Sequence, residues 1–475
     1  MGQEIDSTCF SDLQRQRFRQ RLDDETALLK RRLAEGGFSS RAHVSGTELE
    51  AWLVDENLRA APLNDRFLGR YADDACSAEL ARFNIEFNTA SSPLRGAVFR
   101  ELQRSFEEIL GRARATAQSM GLELVLIGTL PTLREEQLNL DNLSELKRYR
   151  ALNEQIFAAR QGQPIRLDIT GRDHLRASHQ DVMLEAAATS FQIHWQVPVA
   201  DAARYYNAAL VASAPTLAVS GNSPYVFQKD LWSETRIPLF EQAIQVSGCG
   251  LKDRPAPARV DFGRAWLRVS ITELFEENRD GFPVLLPMAF DEEPERYAHL
   301  RLHNGTIWRW NRPIVGFDPD GQPHLRLEHR PLPAGPSVID MVANAALFYG
   351  LVETLAQQPV AEDGLSFAAA RANFYAAARD GLNASFQWFG GYQASAADVT
   401  RRVVGEARRG LAALDVDPDD IDTYLAVIEA RCVSGQTGAE WQRGFMRRHP
   451  GEFAAMTREY LERQKCGRPV HEWGL

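Results

Sequence analysis

The stretch Gly46-Thr47-Glu48-Leu49-Glu50-Ala51-Trp52-Leu53-Val54 decides the fold of this chain. In a strand, residues i and i+2 share a face, about 6.5–7 Å apart. Leu49, Ala51 and Leu53 therefore line one face, and Glu48 and Glu50 sit together on the other. Three later stretches repeat the pattern. Phe83-Asn84-Ile85-Glu86-Phe87-Asn88 turns Phe83, Ile85 and Phe87 inward and Asn84, Glu86 and Asn88 the opposite way. Phe191-Gln192-Ile193-His194-Trp195-Gln196-Val197 puts Gln192, His194 and Gln196 on one side. Leu325-Arg326-Leu327-Glu328-His329-Arg330 does the same with Arg326, Glu328 and Arg330. A solvated outer face of an antiparallel sheet gives the same alternation. Solvated faces, however, favour Lys, Ser and Thr, and none of the four stretches contains a Lys. Carboxylates crowded on one sheet face repel, and bound Mg²⁺ or Mn²⁺, held by carboxylate oxygens and an occasional imidazole, relieves the repulsion.

Working outward, 8–35 follows helical spacing through Phe10, Leu13, Phe18, Leu22, Leu29 and Leu33, and Gly36-Gly37 stops the run. Strands are expected at 44–55, at 79–89 (ended by Ser91-Ser92-Pro93), at 122–127 and at 188–197. Helices are expected at 96–119, 141–160 and 202–214, with a break at Asn222-Ser223-Pro224. The stretch 280–337 reads as β, with turns at Gly281, Pro313, Gly321 and Pro331. Beyond Pro336 the pattern is helical to about 465. The class is α+β. The expected division is an N-terminal helix (1–40), a catalytic domain (41–360) and a helical C-terminal extension packed on it (361–475).

The 475 residues are 44% apolar and 25% charged, which suits a soluble globular protein. Lys plus Arg is 54 against 64 for Asp plus Glu, a formal charge of −10 without a basic block. Nucleic acid is excluded as a partner, since phosphate contacts dominate that affinity. Five scattered cysteines without a C-x-x-C indicate neither a disulfide framework nor a zinc site, and point to a reducing, cytoplasmic setting. The polar start, Met1 to Asp6, lacks signal-peptide character. No apolar run is expected to reach the ~20 residues of a membrane helix. A P-loop, H-E-x-x-H and G-x-S-x-G are all missing, and 248–253 lacks the third glycine of a dinucleotide fingerprint. Any nucleotide must be held through metal and arginine.

Gly46-Thr47-Glu48-Leu49-Glu50 resembles the G-x-E-x-E strand of the glutamate–cysteine ligases, in particular the bacterial carboxylate–amine ligase branch, family 2. Four further segments fall in that family's order. The 79–89 stretch resembles its acidic-x6-Glu strand, and His194 its central-strand histidine. Ser220-Gly221-Asn222-Ser223-Pro224-Tyr225 is similar to its N-S-P turn, and Leu327-Glu328-His329-Arg330 to its E-x-R segment. The resemblance covers about 43–355. It implies a glutamine synthetase-like catalytic fold: a curved, mostly antiparallel sheet forming an active-site funnel backed by helices.

By position, the resemblance implies Glu50, Glu79 and Glu86 as ligands of an ion near the amino-acid carboxylate. Glu48, His194 and Glu328 become ligands of the ion that bridges the nucleotide phosphates. Arg330 would meet the transferring phosphoryl group, with Glu86 counted among the catalytic residues. Arg236, Arg312, Trp308, Asn222 and Ser223 are weaker candidates for ATP or substrate binding, Trp308 and Arg312 as members of one strand face with Trp310. For Arg236 a surface helix arginine is the plainer reading. His329, Asn84 and Gln192 depart from the family pattern or flank ligand positions. His43, His174, His179 and His303 have no ligating spacing, and the Arg401-Arg402 and Arg408-Arg409 pairs read as solvated helix faces.

The implied cofactors are ATP and two to three Mg²⁺ or Mn²⁺ ions. The implied reaction joins glutamate to an amine, cysteine foremost, through γ-glutamyl phosphate. No membrane partner is expected, and a homo-oligomer is compatible. Three alternatives stay open: a sister ligase using another amine or amino acid, a guanidino kinase, and an inactive metal- or nucleotide-binding homologue.

Overall fold

The computed structural model describes residues 10–246, 258–359 and 364–474. Cys9, Cys249 and the 248–253 glycine pair lie outside them. The first helix, Asp12–Ala34, starts where Ser11 and Gln14 cap each other reciprocally. Its buried Glu25 accepts from His299 Nδ1 at 2.7 Å and from the Leu300 amide at 2.8 Å. A charged side chain thereby fixes the helix to Ala298–Gly305.

Among the described residues, eight strands form one antiparallel sheet. In spatial order its path runs Asn311–Phe317, Pro323–His329, Phe191–Gln196, Val44–Val54, Asn84–Asn88 and Cys76–Ala78. The short strands Ser92–Pro93 and Glu123–Val125 join the two ends of Val44–Val54. That 11-residue central strand therefore pairs with four others. Its apolar residues Leu49, Ala51 and Leu53 are fully buried.

Helices Ala202–Ser220 and Val338–Ala356 pack against each other behind the sheet. Trp195 meets Tyr205 and Tyr349 edge-on, each at 5.2 Å. The Tyr349 hydroxyl donates to the His194 carbonyl at 2.9 Å. His329 stacks on Phe348 with centroids 3.9 Å apart and donates from Nδ1 to the Asn311 amide oxygen, so this departure from the family pattern belongs to the core.

Several expectations need correction. The 79–89 strand is interrupted: Cys76–Ala78 and Asn84–Asn88 pair with each other, and Glu79 sits in the intervening turn. The helix beginning at Ala202 continues through Pro215 to Ser220, because burial on all sides outweighs the proline penalty. The 280–337 stretch is not uniformly β, since Ala298–Gly305 is helical; its apolar residues are interleaved with polar ones that bond inward and mask the helical period. The C-terminal helical stretch contains a small hairpin, Ser385–Gln387 with Gln393–Ser395. Val338–Ala356 is, against expectation, apolar and long enough by composition to cross a bilayer. The protein uses it as a core helix, with 83% of its apolar window buried.

Val338–Ala356 and Ala396–Ala413 cross backbone to backbone. A Cβ added at Gly410 would lie 2.0 Å from the Gly350 carbonyl oxygen. Gly410→Ala must push the helices apart, at a cost of about 1–3 kcal/mol. Gly405→Ala, one helix face away with nothing within 4 Å, should instead stabilise by about 0.5–1 kcal/mol. Thermal melts of the two variants should move in opposite directions.

Candidate active site on the polar face of the sheet

Strand register builds the site. Arg312 stands opposite Glu328, Glu328 opposite His194, and His194 opposite Gly46. One row along, Glu48 lies between Gln192 and Asn88. One row further, Glu50 lies opposite Glu86, and Glu86 opposite Ser77. Diagonal neighbours on one face are within side-chain reach. Glu48 Oε1 accordingly approaches His194 Nε2 to 3.1 Å, and Glu328 Oε1 lies 3.8 Å from the same nitrogen. Neither imidazole nitrogen makes a well-formed hydrogen bond, although the ring is buried. The ligand atoms of Glu48, His194 and Glu328 all lie within 4.8 Å of one another. Among the described residues this is the one such group of three; Glu50, Glu79 and Glu86 do not converge as closely.

The charges are arranged unequally. Burial would raise the Glu328 carboxyl, but Arg312, Arg330 and His194 more than offset it and bring it down to about 2. Arg312 grips Glu328 with two hydrogen bonds, at 2.6 and 2.9 Å. Burial would raise Glu48 as well, and His194 with Arg330 holds it well below the usual range. In the other row the relief, from Ser190, Arg236 and Arg330 on Glu50, is outweighed. Burial and the charge of Glu79 push Glu50 up to about 7. Burial, Glu48 and Glu79 push Glu86 well above its ordinary value. Among the described residues, nothing holds these two carboxyls in their charged form as Arg312 and Arg330 hold Glu328.

Beside that row opens a cavity lined among others by Glu50, Glu79, Asn84, Glu185, Arg236 and Arg330. Phe240 and Trp310 supply apolar wall. Glu50 is fixed there by the Ser190 amide and hydroxyl, at 2.7 and 2.8 Å, and by Gln192 at 3.0 Å. Arg330, one residue beyond the Pro323–His329 strand, pairs with Glu328 at 3.2 Å and donates to Gln192.

Arg236 corrects the surface-helix reading. It is buried, paired with Glu234 at 3.2 Å, and donates to the Pro331 carbonyl. Asn222 and Ser223 do not reach the cavity. Both bind Glu234, and Asn222 also donates to the Ala334 carbonyl and to Tyr460. They brace Arg236 from behind. Trp308 and Trp310 precede the Asn311–Phe317 strand rather than sharing a strand face with Arg312. Trp310 reaches the cavity and donates to Glu241, while Trp308 packs on Phe240.

Of the histidines without ligating spacing, His43 packs on Trp195 and Tyr205, His174 binds Asp168, His179 binds Glu135, and His303 donates to the Asn278 carbonyl. Arg401 and Arg408 lie on solvated faces, paired with Asp398 and Asp422. Glu185 is a cavity residue that sequence reasoning misses. It lies in the 3₁₀ turn Met183–Ala187, which has no period to read. The available signal is a single acid inside the apolar run Val182-Met183-Leu184-Glu185-Ala186-Ala187-Ala188.

The profile of glutamate–cysteine ligase family 2 matches residues 44–466. A search of curated protein sequences returns no match. Among solved structures, a glutamate–cysteine ligase from Francisella tularensis, in complex with AMP, aligns with a TM-score of 0.58 at 11% identity, covering 90% of each chain. A bifunctional glutathione synthetase from Pasteurella multocida aligns over 93% of this chain and 55% of its own, at 11% identity and a TM-score of 0.48. The first likeness bears on fold alone, and agrees with the glutamine synthetase-like arrangement of a curved antiparallel sheet backed by helices. With a family match that spans nearly the whole described chain and a sheet face that gathers buried acids around His194, the chain belongs to glutamate–cysteine ligase family 2 and is an ATP-dependent ligase that forms an amide bond.

Proposed function

We propose that the protein joins glutamate to cysteine, using ATP and Mg²⁺ or Mn²⁺, in the cytoplasm. The observation that carries this reading is the pair of acidic rows on one sheet face, one of them closing on His194. The donor set fits a hard divalent ion: two carboxylates and one imidazole whose nitrogens lack hydrogen bonds. Glu48, His194 and Glu328 would hold the ion on the nucleotide side. Glu50, Glu79 and Glu86 would hold a second, on the amino-acid side, and the upward shifts of Glu50 and Glu86 support a cation there. Such ions, when bound, screen the negative oxygens of ATP, glutamate and protein from one another. The free thiols Cys76, Cys432 and Cys466 support a reducing location.

The chain's own residues bind and orient the reacting groups. Arg330 and Arg236 each keep a buried Nε–H without a partner beside the cavity. These donors suit the carboxylate of an amino acid and the phosphoryl group it accepts. The glutamate carboxylate oxygen attacks the γ-phosphorus of ATP and ADP leaves. The amine nitrogen, once it has lost its ammonium proton, attacks the acyl carbon; the bond from that carbon to the phosphate oxygen breaks, and phosphate leaves with the proton the new amide nitrogen gives up. Positioning and charge stabilisation account for most of such catalysis. Phe240, Trp310 and Leu80 keep the cavity partly apolar, which protects the acyl phosphate from water. We read 41–360 as the catalytic unit. The family match to 466 supports counting the helical extension with it.

ADP release should be screened across amino-acid pairs with ATP and Mg²⁺. Glutamate with cysteine should give ADP, phosphate and the dipeptide. If that pair gives no product while another does, the cysteine assignment is wrong. ADP release without free phosphate would instead indicate a kinase, and ATP binding without turnover an inactive homologue.

Glu86→Gln should abolish turnover while the circular dichroism spectrum stays that of the wild type. Arg330→Lys should cut kcat about 100-fold or more, because an ammonium cannot serve Glu328, Gln192 and a phosphoryl oxygen together. His194→Ala should weaken Mn²⁺ binding, read by calorimetry without substrates.

A further inference from the structure

Buried polar atoms nearly always have partners, and a buried carboxylate without one carries a desolvation cost that nothing repays. The cavity concentrates such atoms. Glu185 Oε2 and both amide atoms of Asn84 are shut off from solvent without a hydrogen bond, as are the Nε atoms of Arg236 and Arg330. Glu50, by contrast, is bonded through both oxygens. No hydrogen bond or ion pair ties the Glu185 side chain to the described protein, so it does nothing evident for the fold. It is also absent from the converging metal-ligand group.

We infer that Glu185 is the docking point for the ammonium group of an amino-acid substrate. The inference rests on the ligase reading. The unpartnered groups are complementary to an amino acid: guanidinium donors for its carboxylate, an amide for either group, and one carboxylate for its ammonium. A carboxylate meeting an ammonium in a low-dielectric cavity forms a charge-assisted hydrogen bond that water cannot match. The same contact offsets the penalty that now raises Glu185, through burial and the charges of Glu79 and Glu50, to about 8. Two ammonium groups enter the reaction, that of glutamate and that of the attacking amine, and the test separates them.

Glu185→Gln keeps the shape and removes the charge. The KM for one amino acid should rise about tenfold or more. The KM for ATP, the KM for the other amino acid and the Mg²⁺ requirement should stay within about twofold. Whichever amino acid responds is the one docked. The variant should melt at or above the wild-type temperature, because a carboxyl whose charged form burial disfavours is gone. Glu185→Asp, which restores the charge on a shorter stem, should recover part of the lost affinity.

A rise in the Mg²⁺ requirement with every substrate would make Glu185 a metal ligand and overturn the inference. Unchanged constants, or a lowered melting temperature with all constants worsened together, would overturn it too. Binding gives an arm that does not need turnover. Thermal shift of the wild type by glutamate should exceed that by glutarate, and by cysteine that by 3-mercaptopropionate. In Glu185→Gln one of these differences should vanish. Wild-type protein that shows such a difference yet releases no ADP with any pair would remove the ligase reading and leave the ammonium site standing.

Discussion

The sheet must bury several carboxylates on one face, and everything else in the structure answers to that constraint. Glu48, Glu86 and Glu328 are each less than one-tenth exposed, on three strands of one antiparallel sheet. Like charges this close in a low-dielectric setting repel strongly. The protein resolves half of the conflict itself. Arg312 and Arg330 neutralise Glu328, and His194 with Arg330 moderates Glu48. The other half, around Glu50, Glu79 and Glu86, is left unresolved. That asymmetry fits the two proposed cation sites, one flank carrying strong protein counter-charges and the other weaker ones.

The opposite face provides the rigidity that makes this tolerable. Trp195 and His329 plug the sheet into helices Ala202–Ser220 and Val338–Ala356 through aromatic contacts. Tyr349 fastens the backbone of His194 itself. A metal-ligating imidazole needs its orientation fixed from behind. For His194, the proposed ligand, that fixation acts on the main chain through Tyr349, while Nε2 faces Glu48 at 3.1 Å.

Much of the acidic face is legible in the sequence because a strand has period two. Glu48 and Glu50, or Glu328 and Arg330, share a face whatever else the chain does. Register is not legible: that Glu328 stands across from His194, and Glu50 across from Glu86, depends on pairings between distant segments. Residues off the regular elements are harder still. Glu79 belongs to a turn where the alternation suggests a strand, and Glu185 to a 3₁₀ turn with no period at all. Arg236 reads as a surface residue because its partner Glu234 is so near in sequence. Only the folded chain shows Asn222 and Ser223 bracing that pair from behind. The helix Val338–Ala356 does not read as a continuous apolar run because Asp340, Asn344 and Glu353 punctuate it.

The final helix, Phe453–Lys465, reaches back to the opening third of the chain. Tyr460 donates to the Leu126 carbonyl and receives from Asn222, while Gln464 bonds both the amide and the carbonyl of Leu126 and also the Pro336 carbonyl. Those contacts clamp the sheet's short 123–125 strand, the brace behind Arg236 and the loop beyond Arg330. On a ribosome, the segments carrying the acids emerge long before this helix does. The nascent chain thus presents its charged face before the clamp on Leu126, Asn222 and Pro336 is in place.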